Sequence, residues 1–347
     1  MLFALQKYAV ISYCQLLLPI NLASMVEVVG IGNSLVDILV QIDDDSVLQA
    51  MRLPKGSMHH IERARFDEIK LAVDALPHTQ ASGGSASNTM KALAGLGVDS
   101  AFVGKVGDDA LGAFYESDLR RFGVGVRLAK QASGSTGMAV TFISPDGQRT
   151  FATYLGVSAE LAVSDVPASV FPASGYFYVE GYLVQDPAML EGVLSLARRA
   201  GLTVCMDLAS YNVVADNRDF FARILSSYVD VVFANSEEAT AFTGLGASES
   251  VDELASLCRI AVVKLGAGGA CVRSGNFFDR VEALPVAHVV DTTGAGDYFA
   301  AGFLYRLMRG CGLHECLLAG TRLAAEIIQL VGATLPASRW DCLIKTL

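Results

Sequence analysis

The segment DTTGAGD, at residues 291–297, has residue types and spacing that suit chemistry on an anion. It follows a strand-like run at 286–290 and precedes a long apolar helix pattern. Glycines at such a turn allow a tight backbone path, and the first N–H groups of the helix have no intrahelical partners. With the helix dipole they form an anion site. Asp297 can then accept a proton from a hydroxyl while the N–H groups stabilise a transferred phosphoryl group. A glycine turn capped by an aspartate is the alternative.

Two segments in the first third of the chain carry polar groups that suit a polyol. The run GNSLVD at residues 32–37 places Asp37 where its carboxylate can accept hydrogen bonds from two vicinal hydroxyls. The run GGSASN at residues 83–88 opens a predicted helix, with paired glycines that allow close approach to the backbone. Its Asn88 can both donate and accept hydrogen bonds. Taken alone, a plain helix N-terminus explains the second run better.

Two later segments suit a nucleotide and its metal ion. Asn235 and Glu238 have the spacing of an N-cap and its capping-box partner, and Glu238 can also order water around Mg²⁺. The glycine-dense run at 264–269 can wrap phosphates or ribose, although a tight turn explains it almost as well. The chain has no P-loop sequence, and Leu35 stands where a dinucleotide-binding fingerprint needs its third glycine. Both of those nucleotide-binding classes are therefore excluded.

Alternating strand-like and helix-like patterns predict the scaffold for these segments, an α/β layered domain with a mostly parallel sheet. The predicted strands are Val26–Ile31, Ala101–Val103, Tyr176–Val179, Leu202–Met206, Val229–Phe233 and Ile260–Lys264. The predicted helices are Ala86–Leu96, Ala188–Arg199, Asp219–Ser227, Ser236–Thr243 and Val251–Leu257.

Two regions break this alternation, near residues 35–60 and 138–155. Leu35–Ile42 is typical of an extended strand, and Met138–Ile143 and Arg149–Tyr154 flank a turn sequence. These elements do not fit a βαβ unit, so we expect a small separate sheet that covers the active site as a lid. A peripheral hairpin without that role is the alternative.

Composition limits the class of protein. The 347 residues are 52% hydrophobic and 18% charged, which excludes wholesale disorder. A formal net charge of −10 argues against nonspecific binding to nucleic acid or to an anionic membrane. Seven scattered cysteines without CxxC spacing indicate reduced thiols in a cytoplasmic protein. Residues 1–24 are mostly apolar but too interrupted for a confident membrane span, so we expect an N-terminal extension that activity does not require.

These motifs, in this order, resemble the PfkB, or ribokinase-like, family of small-molecule kinases over most of residues 25–340. The DTTGAGD segment is highly specific, and the Gly-Gly-x-x-x-Asn and Asn-x-x-Glu segments support it. The resemblance implies a three-layer ribokinase-like fold with a β-sheet lid, and phosphoryl transfer from ATP with Mg²⁺. It also implies a small-molecule acceptor and neither a nucleic-acid nor a membrane partner. Both a monomer and a homodimer are compatible with it.

The resemblance also assigns roles position by position. Asp297 is similar to the catalytic base, and Glu238 to the residue that binds Mg²⁺ through water. The anion-hole positions are Gly294, Ala295 and Gly296. The acceptor-binding positions are Asn33, Asp37, Gly84, Asn88 and Arg149. The ATP-binding positions are Asn235, Gly266 and Gly269. Some members also bind a monovalent cation such as K⁺, for which the candidates here are Asp291 and Thr293.

Within the family, the segment at residues 32–38 is most similar to adenosine kinases. Asn33 is then a candidate contact to a purine base, Arg149 a lid arginine that meets phosphate or ribose, and Phe151 and Tyr154 candidates to stack on the base. The expected reaction is phosphorylation of a ribose-type primary hydroxyl, with adenosine as acceptor. Alternatives are a sugar kinase of ribokinase or fructokinase type, a kinase for another nucleoside, and a nucleoside-binding protein without turnover.

Overall fold

The computed structural model describes residues 26–56, 58–145 and 149–347, without the side chains of Met58 and Arg149. The predicted N-terminal extension at 1–24 lies outside the described residues, so its dispensability stays a prediction.

Two β-sheets account for the strands of the described chain. A nine-stranded sheet has the order β14-β13-β12-β11-β10-β9-β1-β5-β6, and a five-stranded sheet has the order β3-β8-β7-β2-β4. Their bounds are β1 (Val28–Ile31), β2 (Leu35–Gln41), β3 (Met58–His60), β4 (His78–Ser82), β5 (Ser100–Gly107), β6 (Gly125–Gln131), β7 (Gly137–Ile143), β8 (Arg149–Tyr154), β9 (Tyr176–Glu180), β10 (Thr203–Asp207), β11 (Val231–Asn235), β12 (Ile260–Lys264), β13 (Ala270–Ser274) and β14 (Phe277–Val281).

The large sheet is parallel from β6 to β12 and ends in the antiparallel strands β13 and β14. The mostly parallel sheet that the alternating pattern predicted is therefore confirmed. The prediction of a strand at 286–290 is wrong, because these residues form no strand. His288, Val289 and Val290 are exposed, so their apolar content does not report burial in a sheet.

Helices cover both faces of the large sheet and bury two apolar clusters against it. Their bounds are α1 (Ser46–Ala50), α2 (Arg63–Asp74), α3 (Ser85–Gly95), α4 (Ala110–Arg121), α5 (Pro187–Arg199), α6 (Tyr211–Asp216), α7 (Arg218–Tyr228), α8 (Ser236–Thr243), α9 (Ala247–Leu257), α10 (Ala295–Met308), α11 (Leu313–Ile327) and α12 (Ala337–Thr346). One cluster includes residues of α3, α4, α10 and α11, and the other includes residues of α5, α7, α8 and α9. Successive residues of β1 point into opposite clusters, as a sheet covered on both faces requires.

The helix that carries Asp297 is held by close packing on its neighbours. A Cβ atom added to Gly302 of α10 would lie 2.4 Å from the Ala319 carbonyl oxygen of α11. One added to Gly320 of α11 would lie 2.9 Å from the Phe299 carbonyl oxygen. The two glycines thus let α10 and α11 approach backbone to backbone.

The five-stranded sheet gathers elements that lie far apart in the chain. Strands β2, β7 and β8 match the predicted Leu35–Ile42, Met138–Ile143 and Arg149–Tyr154, whereas β4 has no counterpart in the sequence prediction. The sequence of β4, HTQAS, lacks the alternating apolar pattern that signals a strand. Along β2, the residues Val36, Ile38 and Val40 are buried in the core, and the intervening residues are partly exposed.

The described residues contain no helix long and apolar enough to cross a membrane. Six cysteines lie among the described residues, and all six are free thiols there.

Candidate active site

Asp297 lies in the first turn of α10 and is held by two side chains of α3. The Ser85 hydroxyl donates to Asp297 Oδ1 at 2.7 Å, and the Asn88 amide nitrogen donates to Oδ2 at 2.9 Å. Burial raises the pKa of Asp297 to about 6, although both hydrogen bonds act in the opposite direction. A carboxylate with this pKa is ionised at neutral pH and is a stronger base than an ordinary aspartate.

The side chain of Asn88 has one polar atom without a hydrogen-bond partner. It is 5% exposed, and its Oδ1 atom has no hydrogen-bond partner among the described residues. A buried amide oxygen without a partner is costly in free energy, so such an atom is well suited to a ligand that donates a hydrogen bond. A hydroxyl group beside Asp297 would supply that donor.

Gly294 shapes the loop before α10. It has the left-handed φ of +76°, and a Cβ atom there would lie 2.7 Å from the Ala333 Cβ. Asp291 is buried, and its carboxylate accepts hydrogen bonds from the backbone N–H groups of Thr293 and Gly332, both at 2.7 Å. The carboxylate thus ties the loop to the turn at 332. A cation site at Asp291 and Thr293 stays a prediction.

The loop presents a helix N-terminus beside the base. Residues 294–296 are partly exposed, and α10 begins at Ala295. The first N–H groups of a helix lack intrahelical acceptors and carry partial positive charge. The predicted anion-hole residues Gly294, Ala295 and Gly296 therefore lie together at a terminus suited to a phosphoryl group.

Asp37 lies on the partly exposed face of β2, close to the paired glycines. A Cβ atom added to Gly83 would lie 2.2 Å from the Asp37 carboxyl carbon, so only glycine leaves room for this carboxylate. Burial raises the pKa of Asp37 to about 6; the ammonium of Lys91 lowers it and the carboxylate of Asp297 raises it. The carboxylates of Asp37, on strand β2 of the small sheet, and of Asp297, on helix α10, therefore interact electrostatically.

Asn33 and Gly84 join at the start of α3. Gly84 has a φ of +91°, and a Cβ atom there would lie 2.3 Å from the Asn33 carbonyl oxygen. Asn33 is 3% exposed, its side-chain nitrogen donates to Glu180 at 3.0 Å, and its Oδ1 accepts from Gln185 at 3.1 Å. Both the nitrogen and the oxygen of the Asn33 side-chain amide therefore have hydrogen-bond partners within the protein.

Glu180 is a site residue that sequence reasoning missed. It ends β9 and accepts hydrogen bonds from the backbone N–H groups of Asn33, at 2.7 Å, and Ala86, at 3.0 Å. Burial raises its pKa to about 7, while these hydrogen bonds act in the opposite direction. The side chain joins the segment after β1 to the N-terminus of α3. A single glutamate at a strand end gives no local signal of this role.

Asn235 and Glu238 form the capping box at the start of α8 that their spacing predicted. The Glu238 N–H donates to Asn235 Oδ1 at 2.8 Å, and the Asn235 N–H donates to Glu238 Oε2 at 2.7 Å. Glu238 is 2% exposed, and its pKa is raised to about 7 by burial and by the carboxylate of Asp207.

The donor set on this side fits Mg²⁺ held mainly through water and phosphate. The described residues include no cluster of three or more histidine, cysteine or acidic side chains that could hold a metal by themselves. Glu238 offers only hard carboxylate oxygens, the ligand type that Mg²⁺ prefers, and Mg²⁺ commonly keeps several waters. Glu238 is the residue that would hold the ion through water.

A buried ion pair lies beside this group, and sequence reasoning missed both partners. Lys264 ends β12, and its Nζ donates to Asp207 Oδ2 at 2.6 Å.

After Lys264 the chain turns at Gly266, where a side chain would meet open space, and at Gly269. A Cβ atom on Gly269 would lie 1.9 Å from the Val281 carbonyl oxygen, so this glycine serves the turn into β13. The predicted ATP contacts of Gly266 and Gly269 stay predictions.

The two aromatic residues predicted to stack on a base, Phe151 and Tyr154, lie on opposite faces of the small sheet. Phe151 pairs with Thr141, and Thr141 pairs with Leu39 of β2, so Phe151 shares the partly exposed face that carries Asp37. Tyr154 lies on the other face and packs against Phe66 of α2, with ring centroids 4.4 Å apart. The prediction that Tyr154 stacks on a base is therefore wrong. Arg149 begins β8, and its side chain is outside the described residues.

The site assembles where the parallel strands end. Groups that end or directly follow five neighbouring parallel strands line one edge of the sheet, which is where open α/β sheets bind ligands. They are Asn33 after β1, Glu180 on β9, Asp207 on β10, Asn235 on β11 and Lys264 on β12. A buried carboxylate, a helix N-terminus and polar side chains thus meet at one edge of the sheet. That combination suits the transfer of a phosphoryl group to a hydroxyl.

Comparison with known proteins agrees with this chemistry. The profile of a family described as pfkB family carbohydrate kinase matches residues 59–340. The structure of adenosine kinase from Sinorhizobium meliloti is 34% identical with a TM-score of 0.82, covering 93% of this chain and 100% of that one. A probable sugar kinase from Rhizobium etli CFN 42 is 33% identical with a TM-score of 0.82, covering 93% and 98%. The ATP-dependent ribose-1-phosphate kinase of Halopiger xanaduensis is 31% identical over 258 residues, 68% of this chain and 80% of the relative. The predicted ribokinase-like fold is confirmed.

Proposed function

The chain belongs to the pfkB family of carbohydrate kinases, and on this premise we propose that it transfers the γ-phosphate of ATP to the 5′-hydroxyl of adenosine. As a member of this family, the chain is a phosphotransferase that acts on a hydroxyl group of a sugar or nucleoside. One observation carries the reaction type. The ionised Asp297 and the unpartnered Oδ1 of Asn88 lie together beside a helix N-terminus, so a hydroxyl can be bound and deprotonated next to an anion site.

In the proposed reaction, each group of the cleft acts on one part of the reactants. Asp37 and Asn88 hold the acceptor hydroxyls, and Asp297 takes the proton of the hydroxyl that attacks the γ-phosphorus. The N–H groups at the start of α10 stabilise charge on the moving phosphoryl group. Glu238 would hold Mg²⁺ through water, and the ion when bound supplies positive charge to the nucleotide phosphates.

The small sheet supports a nucleoside as the acceptor. Its face that carries Asp37 also carries Leu35, Leu39 and Phe151, all of them only partly buried. A purine attached to the ribose would cover this apolar surface and gain free energy from its burial. A free sugar held by Asp37 and Asn88 would leave it in water. The similarity to the Sinorhizobium adenosine kinase points the same way.

A free or phosphorylated sugar is the second candidate acceptor. The Halopiger relative is named for ribose 1-phosphate and the Rhizobium structure for a sugar, and both are nearly as similar to this chain as the adenosine kinase is. The polar part of the cleft, formed by Asp37, Asn88 and Asp297, suits either acceptor because it would contact only the sugar hydroxyls.

A substrate panel tests the acceptor. Purified protein with Mg-ATP is offered adenosine, inosine, guanosine, ribose, ribose 1-phosphate and fructose, and ADP release is measured at equal acceptor concentrations. We expect the highest kcat/KM with adenosine. A higher value with a sugar would transfer the assignment to a sugar kinase. Tight adenosine binding without ADP release from any acceptor would instead identify a nucleoside-binding protein without turnover.

A further inference from the structure

We propose that Lys264 is a second catalytic residue, whose ammonium group contacts the phosphoryl group during its transfer. The inference rests on the proposed kinase function and adds a residue that the motifs did not identify. Lys264 ends β12, at the sheet edge where the other site residues gather. Its side chain is 14% exposed and forms an ion pair with Asp207 at 2.6 Å, in which Asp207 is 6% exposed.

The position of the amine relative to the anion site carries the argument. A Cβ atom added to Gly296 would lie 3.1 Å from Lys264 Nζ. Gly296 is the second residue of α10, and its N–H belongs to the helix terminus that would bind the phosphoryl group. The absence of a side chain at 296 leaves the ammonium open to whatever is bound there. A phosphoryl oxygen at the terminus would therefore lie beside a full positive charge.

The charges around Lys264 hold it in the protonated form. Burial alone would lower the pKa of the ammonium, but the carboxylates of Asp207, Glu238 and Asp297 outweigh burial and raise it. A buried ion pair adds little net stability compared with apolar side chains of the same size. The pair is thus a weak source of stability, whereas a fixed cation beside the negatively charged equatorial oxygens of a transferring phosphoryl group favours catalysis.

Asp207 acts as the positioning residue for this cation. Its Oδ1 accepts a hydrogen bond from the Ala209 N–H at 3.1 Å, and its Oδ2 accepts from Lys264. Ala209 has a φ of +80°, a left-handed conformation that is uncommon for a residue with a side chain. One oxygen of the carboxylate is therefore held by the backbone, and the other oxygen orients the Lys264 ammonium group.

The reaction balances without any proton change at Lys264. The acceptor oxygen forms a bond to the γ-phosphorus, and the bond from that phosphorus to the bridging oxygen breaks. ADP leaves with the electron pair of the broken bond, and Asp297 receives the proton of the hydroxyl. Lys264 remains an ammonium ion throughout and stabilises the charge on the non-bridging oxygens.

Two variants test the proposal. Lys264→Met removes the charge but leaves Asp207 buried without its ion-pair partner, so the double variant Lys264→Met/Asp207→Asn accompanies it and keeps the net charge of the site unchanged. Lys264→Arg keeps the charge with a different shape. Lys105→Met is the matched control, because Lys105 also forms a mostly buried ion pair, with Asp165 at 3.1 Å, and belongs to no site residue set.

Turnover and nucleotide binding are measured on each folded variant. We expect kcat to fall by about 100-fold or more in both Lys264→Met variants, with the KM of the acceptor unchanged, as for loss of one oxyanion-binding donor. Calorimetry with Mg-ADP and with the non-hydrolysable analogue Mg-AMPPNP, without acceptor, should show unchanged ADP affinity and about tenfold weaker AMPPNP affinity. Lys264→Arg should recover part of the preference for AMPPNP over ADP. Lys105→Met should match the wild type.

The outcomes separate this inference from the proposed function. A folded Lys264→Met/Asp207→Asn variant with wild-type kcat and AMPPNP affinity would overturn the inference while leaving the kinase assignment intact. Equal weakening of ADP and AMPPNP would also overturn it, because a purely structural ion pair would affect both nucleotides alike. A wild-type protein that phosphorylates no acceptor, yet prefers AMPPNP through Lys264, would refute the kinase proposal and support the phosphate contact.

Discussion

Replacement of Asp297 by asparagine separates the proposed base from its surroundings. The Asp297 carboxylate accepts hydrogen bonds from Ser85 and from the amide nitrogen of Asn88. An asparagine at 297 has one oxygen and one NH₂ group at the same positions. The Asn88 amide can rotate by half a turn and present its unpartnered Oδ1 to that NH₂ group. The variant therefore keeps the shape and the hydrogen bonds of the site and loses only the ability to take a proton.

The expected magnitudes follow from the pKa and from the role of the base. Loss of a general base lowers kcat by about 10²–10⁴-fold. The Asp297 pKa is raised by burial from 3.8 to about 6. Its neutral form is therefore favoured by folding, and this contribution is present below pH 3.8 and is lost as pH rises through 6. At pH 8 the asparagine variant should be more stable than the wild type by up to about 3 kcal/mol. At pH 3.8 or below the difference should disappear.

The two consequences are measured on the same protein. Initial rates of ADP release with saturating Mg-ATP and acceptor give kcat at pH 8, and thermal unfolding followed by circular dichroism gives Tm at pH 8 and pH 4. The control is Asp252→Asn, which removes an exposed carboxylate paired with Arg273 and should change neither kcat nor Tm appreciably. A kcat within fivefold of the wild type would refute the assignment of the base. A Tm at pH 8 below that of the wild type would refute the argument from burial.

Three further predictions concern pH, acceptor binding and stability. The kcat/KM for the acceptor should decrease below about pH 6, where Asp37 and Asp297 both become protonated, and a flat profile from pH 8 to pH 5 would contradict this. Asp37→Asn should raise the acceptor KM by about 10–100-fold through loss of charged hydrogen bonds while the KM of ATP stays constant, as steady-state kinetics with each substrate varied would show. Gly302→Ala should lower stability by about 1–3 kcal/mol, because the added methyl group would lie 2.4 Å from the Ala319 carbonyl oxygen; an unchanged urea midpoint would contradict the tight helix contact.

Features encoded by neighbouring residues could be predicted from the sequence. The runs that became β1, β9, β10, β11 and β12 are almost continuously apolar because each strand lies in a sheet covered on both faces. The capping box of Asn235 and Glu238 needs only residues three apart, and it formed as predicted. The glycine turn before α10 likewise needs only local backbone freedom, and Gly294 adopts the left-handed conformation there.

Other predictions failed because burial depends on the rest of the chain. The run at 286–290 has the composition of a strand, but no edge of either sheet receives it among the described residues. Tyr154 lies in a predicted strand, yet the register of β8 against β7 points it toward α2, away from Asp37. A strand exposes alternate residues to opposite faces, so a register difference of one residue decides which aromatic side chain lines the cleft.

The sequence by itself determined the chemistry of one loop, namely a carboxylate at the start of a helix after two glycines and the segments that correspond to it in related kinases. Only the tertiary structure decided which distant groups share the cleft. Glu180 meets Asn33 across 147 residues, and Lys264 meets Asp207 across 57. No local pattern pairs these residues with one another, because Glu180, Asp207 and Lys264 are single polar residues at the ends of apolar strands, and the segment that singles out Asn33 does not show its partner. Parallel pairing places the carboxyl ends of successive strands along one edge, and this alone brings the four side chains to the site.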